Sequence, residues 1–274
     1  MTAFQVTDSQ AAQFAADGYL FVPKLLDDEE TQLLYRIAKA DQAMLDRARN
    51  GYGRDTKGNV TSILIHNELD DDIYSAIVRS RRIVDTMERM LGGEVYHYHN
   101  KMTMKEPYKG GAWEWHQDYG YWYNNGCIYP HMASVMIAVD KSTKENGCLQ
   151  VLRGSHECGR IEHGVVATQT GADMERVEQL MKRLELVYCE MEPGDGLFFH
   201  CNTLHRSDAN NSPDPRWTFL CCYNAARNDP YKKHGHPNYS FLEKWDDSAI
   251  KEVGRRQLAS LERAASDAVP ASVG

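Results

Sequence analysis

The chain has 274 residues, 42% hydrophobic and 26% charged, a globular composition with enough apolar side chains for a sizeable core. A net charge of -8 opposes binding to nucleic acid or to anionic membranes, whose phosphates an acidic surface repels. The opening MTAFQVTDSQ has no basic segment followed by an apolar one, and no window is apolar for the length a bilayer requires, so a cytoplasmic protein with neither partner is expected.

The stretch TDSQAAQF, from Thr7 to Phe14, predicts a short helix capped by Thr7 or Asp8. Gly18 to Leu26 has the apolar character of a buried strand ended by Pro23. The segment DDEETQLLYRIAKADQAMLDRA then begins with acidic residues and continues with apolar ones at helical spacing, predicting a long amphipathic helix. Ile73, Ile77, Val84, Met87 and Leu91 recur at helical intervals before a Gly-Gly stop, which predicts another helix over 71–91. From Glu94 the period becomes two. EVYHYHNKMTMKE, HMASVMIAVD, GCLQVLRGS, LVYCEMEPGDGLFFH and WTFLCCYNA read as strands separated by Gly, Pro and Asn turns, a sandwich or barrel. GADMERVEQLMKRLE predicts a helical insertion, DSAIKEVGRRQLASLERAASDA a C-terminal helix, and VPASVG a disordered tail. The expected class is mainly β with flanking helices. One domain over 1–274 is expected, with a helical scaffold over 1–93, a β core over 94–228 and the last helix over 247–268. Seven cysteines without paired spacing predict free core thiols.

The stretch AWEWHQDYGYWYN sets His116 and Asp118 two residues apart in the densest aromatic cluster of the chain. At the end of a strand, such residues point to one face and aim an imidazole and a carboxylate at a common point. Alone, the pair reads first as a histidine salt-bridged to a nearby carboxylate. A second segment, GDGLFFHCNTLHRSDANNSPDPRW, adds His200, His205 and Arg216. Two histidines and a carboxylate on an open face suit a non-haem Fe(II) centre better than a structural zinc site, which takes four closed ligands.

WHQD, NGCLQVLRGSH and GDGLFFHCNTLHRSDANNSPDPR together resemble the phytanoyl-CoA dioxygenase family of Fe(II)/2-oxoglutarate oxygenases, which includes ectoine hydroxylase, over about Gly18 to Ala226. The resemblance implies a double-stranded β-helix, a jelly-roll or cupin-like core. It implies a 2-oxoglutarate-dependent dioxygenase that hydroxylates an aliphatic C–H bond using Fe(II), 2-oxoglutarate and O2, releasing succinate and carbon dioxide. His116, Asp118 and His205 are implied as metal ligands, leaving His200 to the core. Arg216 is implied to pair with the distal carboxylate of 2-oxoglutarate, since a guanidinium fork matches a carboxylate and stays charged. Ser207 is expected to assist it, and similarity to ectoine hydroxylase adds Lys105 and Trp122 as cosubstrate contacts. Related halogenases have a small residue at the Asp118 position, so a carboxylate there points to hydroxylation.

For the substrate, one of His99 and Asn100 is expected to face the pocket, with Tyr119 and Tyr121 as aromatic walls and Trp113, Trp115 and Tyr123 as further candidates. His99, Asn100, Lys101 and Arg153 are candidates for receiving an anionic end. The expected partner is a small zwitterionic metabolite, 2-aminoethylphosphonate or its N-methylated relatives being the first choice. Another amine, amino acid or acyl compound is the alternative, and a non-catalytic metal-binding member of the fold is the rival. His66, His163, His234 and His236 are expected at the surface or in loops, and His156 in a structural role. Oligomeric state is left open.

Overall fold

The computed structural model describes residues 4–41 and 53–267. The second half of the predicted long helix, beyond residue 41, and the expected disordered tail lie outside the described residues.

In chain order the helices are α1 (Asp8–Asp17), α2 (Asp28–Ala40), α3 (Ile73–Arg79), α4 (Arg81–Leu91), α5 (Asp118–Trp122), α6 (Met174–Met181) and α7 (Ala249–Asp267). The strands are β1 (Tyr19–Val22), β2 (Gly53–Arg54), β3 (Val60–His66), β4 (Val95–Lys105), β5 (Trp113–His116), β6 (Met132–Ala138), β7 (Leu149–Leu152), β8 (His163–Val166), β9 (Gln169–Ala172), β10 (Leu186–Cys189), β11 (Gly196–His200), β12 (His205–Ser207) and β13 (Arg216–Ala225). Local rules set the helix starts. Thr7 with Gln10, and Asp27 with Glu30, form reciprocal capping boxes. Gly92, in the left-handed conformation, closes α4.

A seven-stranded sheet ordered β1-β11-β6-β13-β4-β3-β2 faces a four-stranded sheet ordered β10-β7-β12-β5, and β8 with β9 forms a separate hairpin. This is the jelly-roll sandwich expected. Alternation divides each strand of the large sheet between two environments. Trp217, Phe219, Cys221 and Tyr223 of β13, with Met102 and Met104 of β4, pack beneath Leu34, Ile37, Ile77 and Met87 of the helices. The opposite faces of β6, β11 and β13, through Met136, Leu197, Phe199 and Leu220, meet Leu149 and Val151 of the small sheet.

Three differences from the expected elements have physical reasons. Segment 53–66, assigned to the helical scaffold, instead supplies β2 and β3 to the large sheet, where β3 pairs with β4. The helix expected over 71–91 is two helices, because Ser80 takes an extended backbone and its neighbours exchange hydrogen bonds with Trp245. A bulge at Tyr98 breaks strict alternation in β4, since Cys222 opposes His99 while Tyr223 opposes His97. Among the described residues no helix is long and apolar enough to cross a membrane, and the seven cysteines are free, with only Cys158 exposed.

Burial pushes His97 down to about 3 and His200 down to about 4 from the ordinary imidazole value of 6.5. The unfolded chain therefore takes up protons that these folded imidazoles refuse, and stability falls as pH drops below 6.5 toward those values. Thermal unfolding of metal-free protein should show a melting temperature that declines from about pH 6.5 to about pH 5, above the range where most carboxylates titrate. His200→Gln should flatten the decline; a flat wild-type profile would contradict the buried neutral imidazoles.

Candidate metal centre

The small sheet brings two distant histidines face to face. β12 lies between β7 and β5, and its register sets His205 opposite His116, with ring centroids 4.1 Å apart. Each imidazole donates its Nδ1–H to the carbonyl two residues earlier, His116 to Glu114 at 2.7 Å and His205 to Thr203 at 2.9 Å. The tautomer is thereby set and both Nε2 lone pairs are left free, as metal ligation requires. Burial, reinforced by His205, holds His116 down at about 3, and burial lowers His205 as well, so both rings are neutral near pH 7.

Asp118 arrives by a different route from the one expected. The strand ends at His116, and Asp118 is the first residue of α5. The turn is pinned by Gln117, a fully buried residue that sequence reasoning missed. Its amide nitrogen bonds the Gly159 and Asn202 carbonyls, its Oε1 accepts from Ile161, and its backbone N–H bonds His163 Nε2. One candidate ligand atom from each of His116, Asp118 and His205 lies within 4.8 Å of the others. Burial disfavours the charge on Asp118, but Lys101 and the two imidazoles outweigh it and keep its pKa below the usual value. Its Oδ1 faces Lys101 Nζ at 3.4 Å and its Oδ2 accepts from Ser134 at 3.3 Å.

The triad opens on a cavity of about 150 Å³. Along β4 the residues His99, Lys101 and Thr103 face it in order, so the strand acts as a ruler with the triad midway. At the Thr103 end lies Arg216, 1% exposed. Its guanidinium donates to the Gly147 carbonyl at 2.8 and 3.1 Å and to the Thr103 and Thr218 hydroxyls, and it has no carboxylate partner among the described residues. Burial pulls its pKa down to about 10, which leaves it charged at neutral pH. Gly147 sits at φ +81°, where a Cβ would approach the Asp208 carbonyl oxygen to 2.2 Å, so the acceptor loop requires glycine. Ser207 lines the same end, and its buried Oγ has no hydrogen-bond partner. A buried cation without a counter-ion and a hydroxyl without a partner, both facing one cavity, fit the carboxylate of an absent anionic ligand.

The opposite end is aromatic. Trp122 stands edge-on to His99 at 5.8 Å and Tyr121 edge-on to His116 at 5.9 Å, while Trp113, opposite Ser207 in the pairing of β5 with β12, lines the Arg216 end. His236, expected in a surface loop, lines the cavity instead and stacks on His99 at 4.4 Å. Ile63 and Ile65 of β3 also contribute, and were missed with that strand. The HGH spacing around His236 carries no periodic signal; only the return of its loop across β4 brings it here.

Several expected positions fall elsewhere. Of the pair His99 and Asn100, His99 faces the cavity, while Asn100 lies on the other side of β4 and bonds His97. Lys105 is fully buried outside the cavity lining, its ammonium held by the Ser207 and Asp208 carbonyls. Tyr119 is structural, its hydroxyl shared between the Cys127 and Ile128 carbonyls. Trp115 packs with Leu152 and Leu204, Tyr123 is half exposed beneath Arg160, and Arg153 is paired with Glu185. His200 and His156 are structural as expected, both near α1.

The family model of phytanoyl-CoA dioxygenase (PhyH) matches residues 14–218. The chain belongs to that family. It is a 2-oxoglutarate-dependent dioxygenase whose cofactors are iron and 2-oxoglutarate. Similar proteins include the L-proline trans-4-hydroxylase of Streptomyces griseoviridis, 28% identical with 90% of this chain and 96% of the relative covered. The ectoine dioxygenase of Sphingopyxis alaskensis is 26% identical, with 92% and 88% covered. Among solved structures, EctD from S. alaskensis with 2-oxoglutarate and 5-hydroxyectoine superposes with a TM-score of 0.73 at 24% identity, covering 90% of this chain and 89% of that one. The carbocyclase SnoK from nogalamycin biosynthesis follows the same fold with a TM-score of 0.66 at 20% identity, covering 88% and 97%.

Because Ser207 Oγ makes no hydrogen bond within the protein, Ser207→Ala should change folding stability by less than about 0.5 kcal/mol. Denaturant unfolding without ligand checks this, and a variant clearly less stable would mean that the hydroxyl has a structural partner.

Proposed function

We propose that this enzyme hydroxylates an unactivated C–H bond of a small zwitterionic metabolite, with His116, Asp118 and His205 as iron ligands and Arg216 and Ser207 as the clamp on 2-oxoglutarate. The observation that carries the reading is Arg216, a buried guanidinium without a counter-ion at the end of a cavity that opens on a His-Asp-His triad. A zinc hydrolase built on the same three side chains would leave Arg216 and Ser207 without a task.

When bound, iron with 2-oxoglutarate supplies oxidative decarboxylation to succinate and carbon dioxide, coupled to oxygen insertion into the substrate. The protein's share is positional. His116 and His205 offer neutral Nε2 atoms in orientations set by Glu114 and Thr203. Ser134 and Lys101 each hold one oxygen of Asp118, which limits rotation of the carboxylate. Arg216 would hold the distal carboxylate of 2-oxoglutarate, Ser207 would add a hydroxyl, and Thr103 orients the guanidinium. Tyr121, Trp122 and Trp113 narrow the cavity and keep water from the reacting centre.

His116, Asp118 and His205 would hold the metal, and with a carboxylate at residue 118 the place a halide needs would be taken, which favours hydroxylation. The named relatives act on L-proline and ectoine. No relative supports the phosphonate expected first, so the proposal covers small zwitterions generally, amino acids foremost. Cytoplasmic location is part of the same proposal.

Anaerobic addition of Fe(II) and 2-oxoglutarate should give a weak visible charge-transfer band, absent from Asp118→Ala. Arg216→Met should raise the 2-oxoglutarate concentration for half-saturation of that band by more than about tenfold. No band in the wild type would remove the oxygenase assignment of the triad. Oxygen consumption across small amino acids, betaines and amines, matched mole for mole by succinate, then identifies the substrate.

A further inference from the structure

Among the described residues the cavity lining holds three cations other than imidazoles: Lys101, Arg206 and Arg216. Arg206 is occupied at the rim, its guanidinium near Asp208 at 3.6 Å, bonded to Gln150 at 3.0 Å and lying over Trp115. Arg216 stands at the Thr103 end, with Ser207. Lys101 stands two residues further along β4, level with the triad, and beyond it come His99, His236 and Trp122. Its side chain is 14% exposed, and its one hydrogen-bond partner among the described residues is Asp118, at a long 3.4 Å. An ammonium has three donors.

The charge balance of the cavity points the same way. Among the described residues, with Arg206 offset by Asp208, Lys101 and Arg216 face a single lining carboxylate, Asp118. A divalent metal and a 2-oxoglutarate dianion cancel each other, so loading the site leaves one positive charge unmatched. Beside Lys101 a neutral donor is also idle. His99 Nδ1, a donor in one of the two neutral tautomers, is buried without a hydrogen-bond partner among the described residues, and its ring is held by the stack on His236 and the edge of Trp122.

We propose that Lys101, assisted by His99, is the anion-recognition site of the substrate compartment, so that the molecule hydroxylated carries a compact anionic group, a carboxylate or a phosphonate, directed at this corner. This rests on the hydroxylase reading of the same cavity. Lys101 shares its ammonium between Asp118 and the substrate, which sets the reacting carbon at a fixed reach from the metal. The aromatic edges of Tyr121 and Trp122 receive the remainder of the molecule. A carboxylate and a phosphonate offer Lys101 the same charge-assisted contact and differ in size and charge, so the two are separable by probe.

The test uses the intact enzyme loaded anaerobically with Fe(II) and 2-oxoglutarate, and three probes that share a methyl group: acetate, methylphosphonate and the neutral acetamide. Paramagnetic relaxation of the methyl protons reports residence near the metal without turnover. Acetate or methylphosphonate, or both, should be relaxed about tenfold more than acetamide at equal concentration, and the stronger of the two names the anionic group. Lys101→Met should remove the contrast and Lys101→Arg should retain most of it. His99→Leu, which leaves the contact between Lys101 and Asp118 intact, should reduce it, and decides the matter if Lys101→Met does not fold. Equal relaxation by all three probes in the wild type overturns the proposal, and so does a contrast that survives in both Lys101→Met and His99→Leu. If Lys101→Met weakens the 2-oxoglutarate band and leaves the anion contrast intact, Lys101 serves the cosubstrate and the proposal fails. Absence of the band in the wild type would instead remove the hydroxylase reading itself, a separate result.

Discussion

The whole site depends on one strand pairing. β12 is only three residues long, yet it is held between β7 and β5 in a register that puts His205 against both Val151 and His116. A slip of one residue would turn His205 outward and bring Arg206 in, because side chains alternate along a strand. What prevents the slip is mostly polar. Thr203 bonds the Gly18 carbonyl, Leu204 N–H bonds Ser155 Oγ, and Gln117 bonds the Asn202 carbonyl. These buried anchors surround the histidine on its N-terminal side and leave its cavity side clear. The precision of the metal site is thus built from side-chain-to-backbone hydrogen bonds in segments with little regular structure.

Charge is distributed along the cavity with a similar economy. Lys101, Lys105 and Arg216 all lie on or beside the inner face of the large sheet, and burying several cations together is unfavourable unless something negative joins them. Lys105 escapes by turning to the backbone carbonyls of Ser207 and Asp208. That contact also holds the chain just beyond Ser207, so a lysine expected to bind cosubstrate instead supports the loop that presents Ser207. Arg216 does so in part, through the Gly147 carbonyl, and still faces the cavity, while Lys101 has Asp118 as its one hydrogen-bond partner among the described residues. The fold tolerates them because the large sheet buries ten consecutive residues of β13 and nearly all of β4, a core extensive enough to carry the cost.

Much of this was legible in the sequence, for identifiable reasons. The β core announced itself by period two, the start of α1 by a cap at Thr7 or Asp8, and that of α2 by its acidic first turn. The three candidate ligands and Arg216 were found by the joint motif, not by any one pair. Three things were not legible. β3 reads VTSILIH, too evenly apolar to separate from a buried helix segment by periodicity, and it stood among helices. The Tyr98 bulge places Tyr98 and His99 on one side of β4, and a bulge leaves no mark in the alternation that would have assigned Tyr98 elsewhere. Gln117 and His236 owe their roles to segments remote in sequence, 159–163 and residue 67 respectively, which no local reading reaches.

The aromatic cluster around His116 divides its labour more sharply than its composition suggests. Six rings lie between Trp113 and Tyr123, but only Trp113, Tyr121 and Trp122 line the cavity. Tyr119 ties α5 to the loop at Cys127 and Ile128, Trp115 belongs to the core under the small sheet, and Tyr123 carries Arg160 at the surface. The reason is the change of period at Gln117. Before it, a bulge in β5, where the step from Trp113 to His116 spans the two-residue step from Ser207 to His205, turns Trp113 to the cavity with His116 and leaves Trp115 to the core. After it, a five-residue helix turns each successive ring by about 100°. A strand continued through Asp118 would have aligned Tyr119, Tyr121 and Tyr123 on one face, opposite His116 and Asp118, and Tyr121 could not then stand edge-on to His116. The turn that delivers the carboxylate to the metal centre is therefore the same turn that delivers an aromatic wall beside it, and Gln117 secures both.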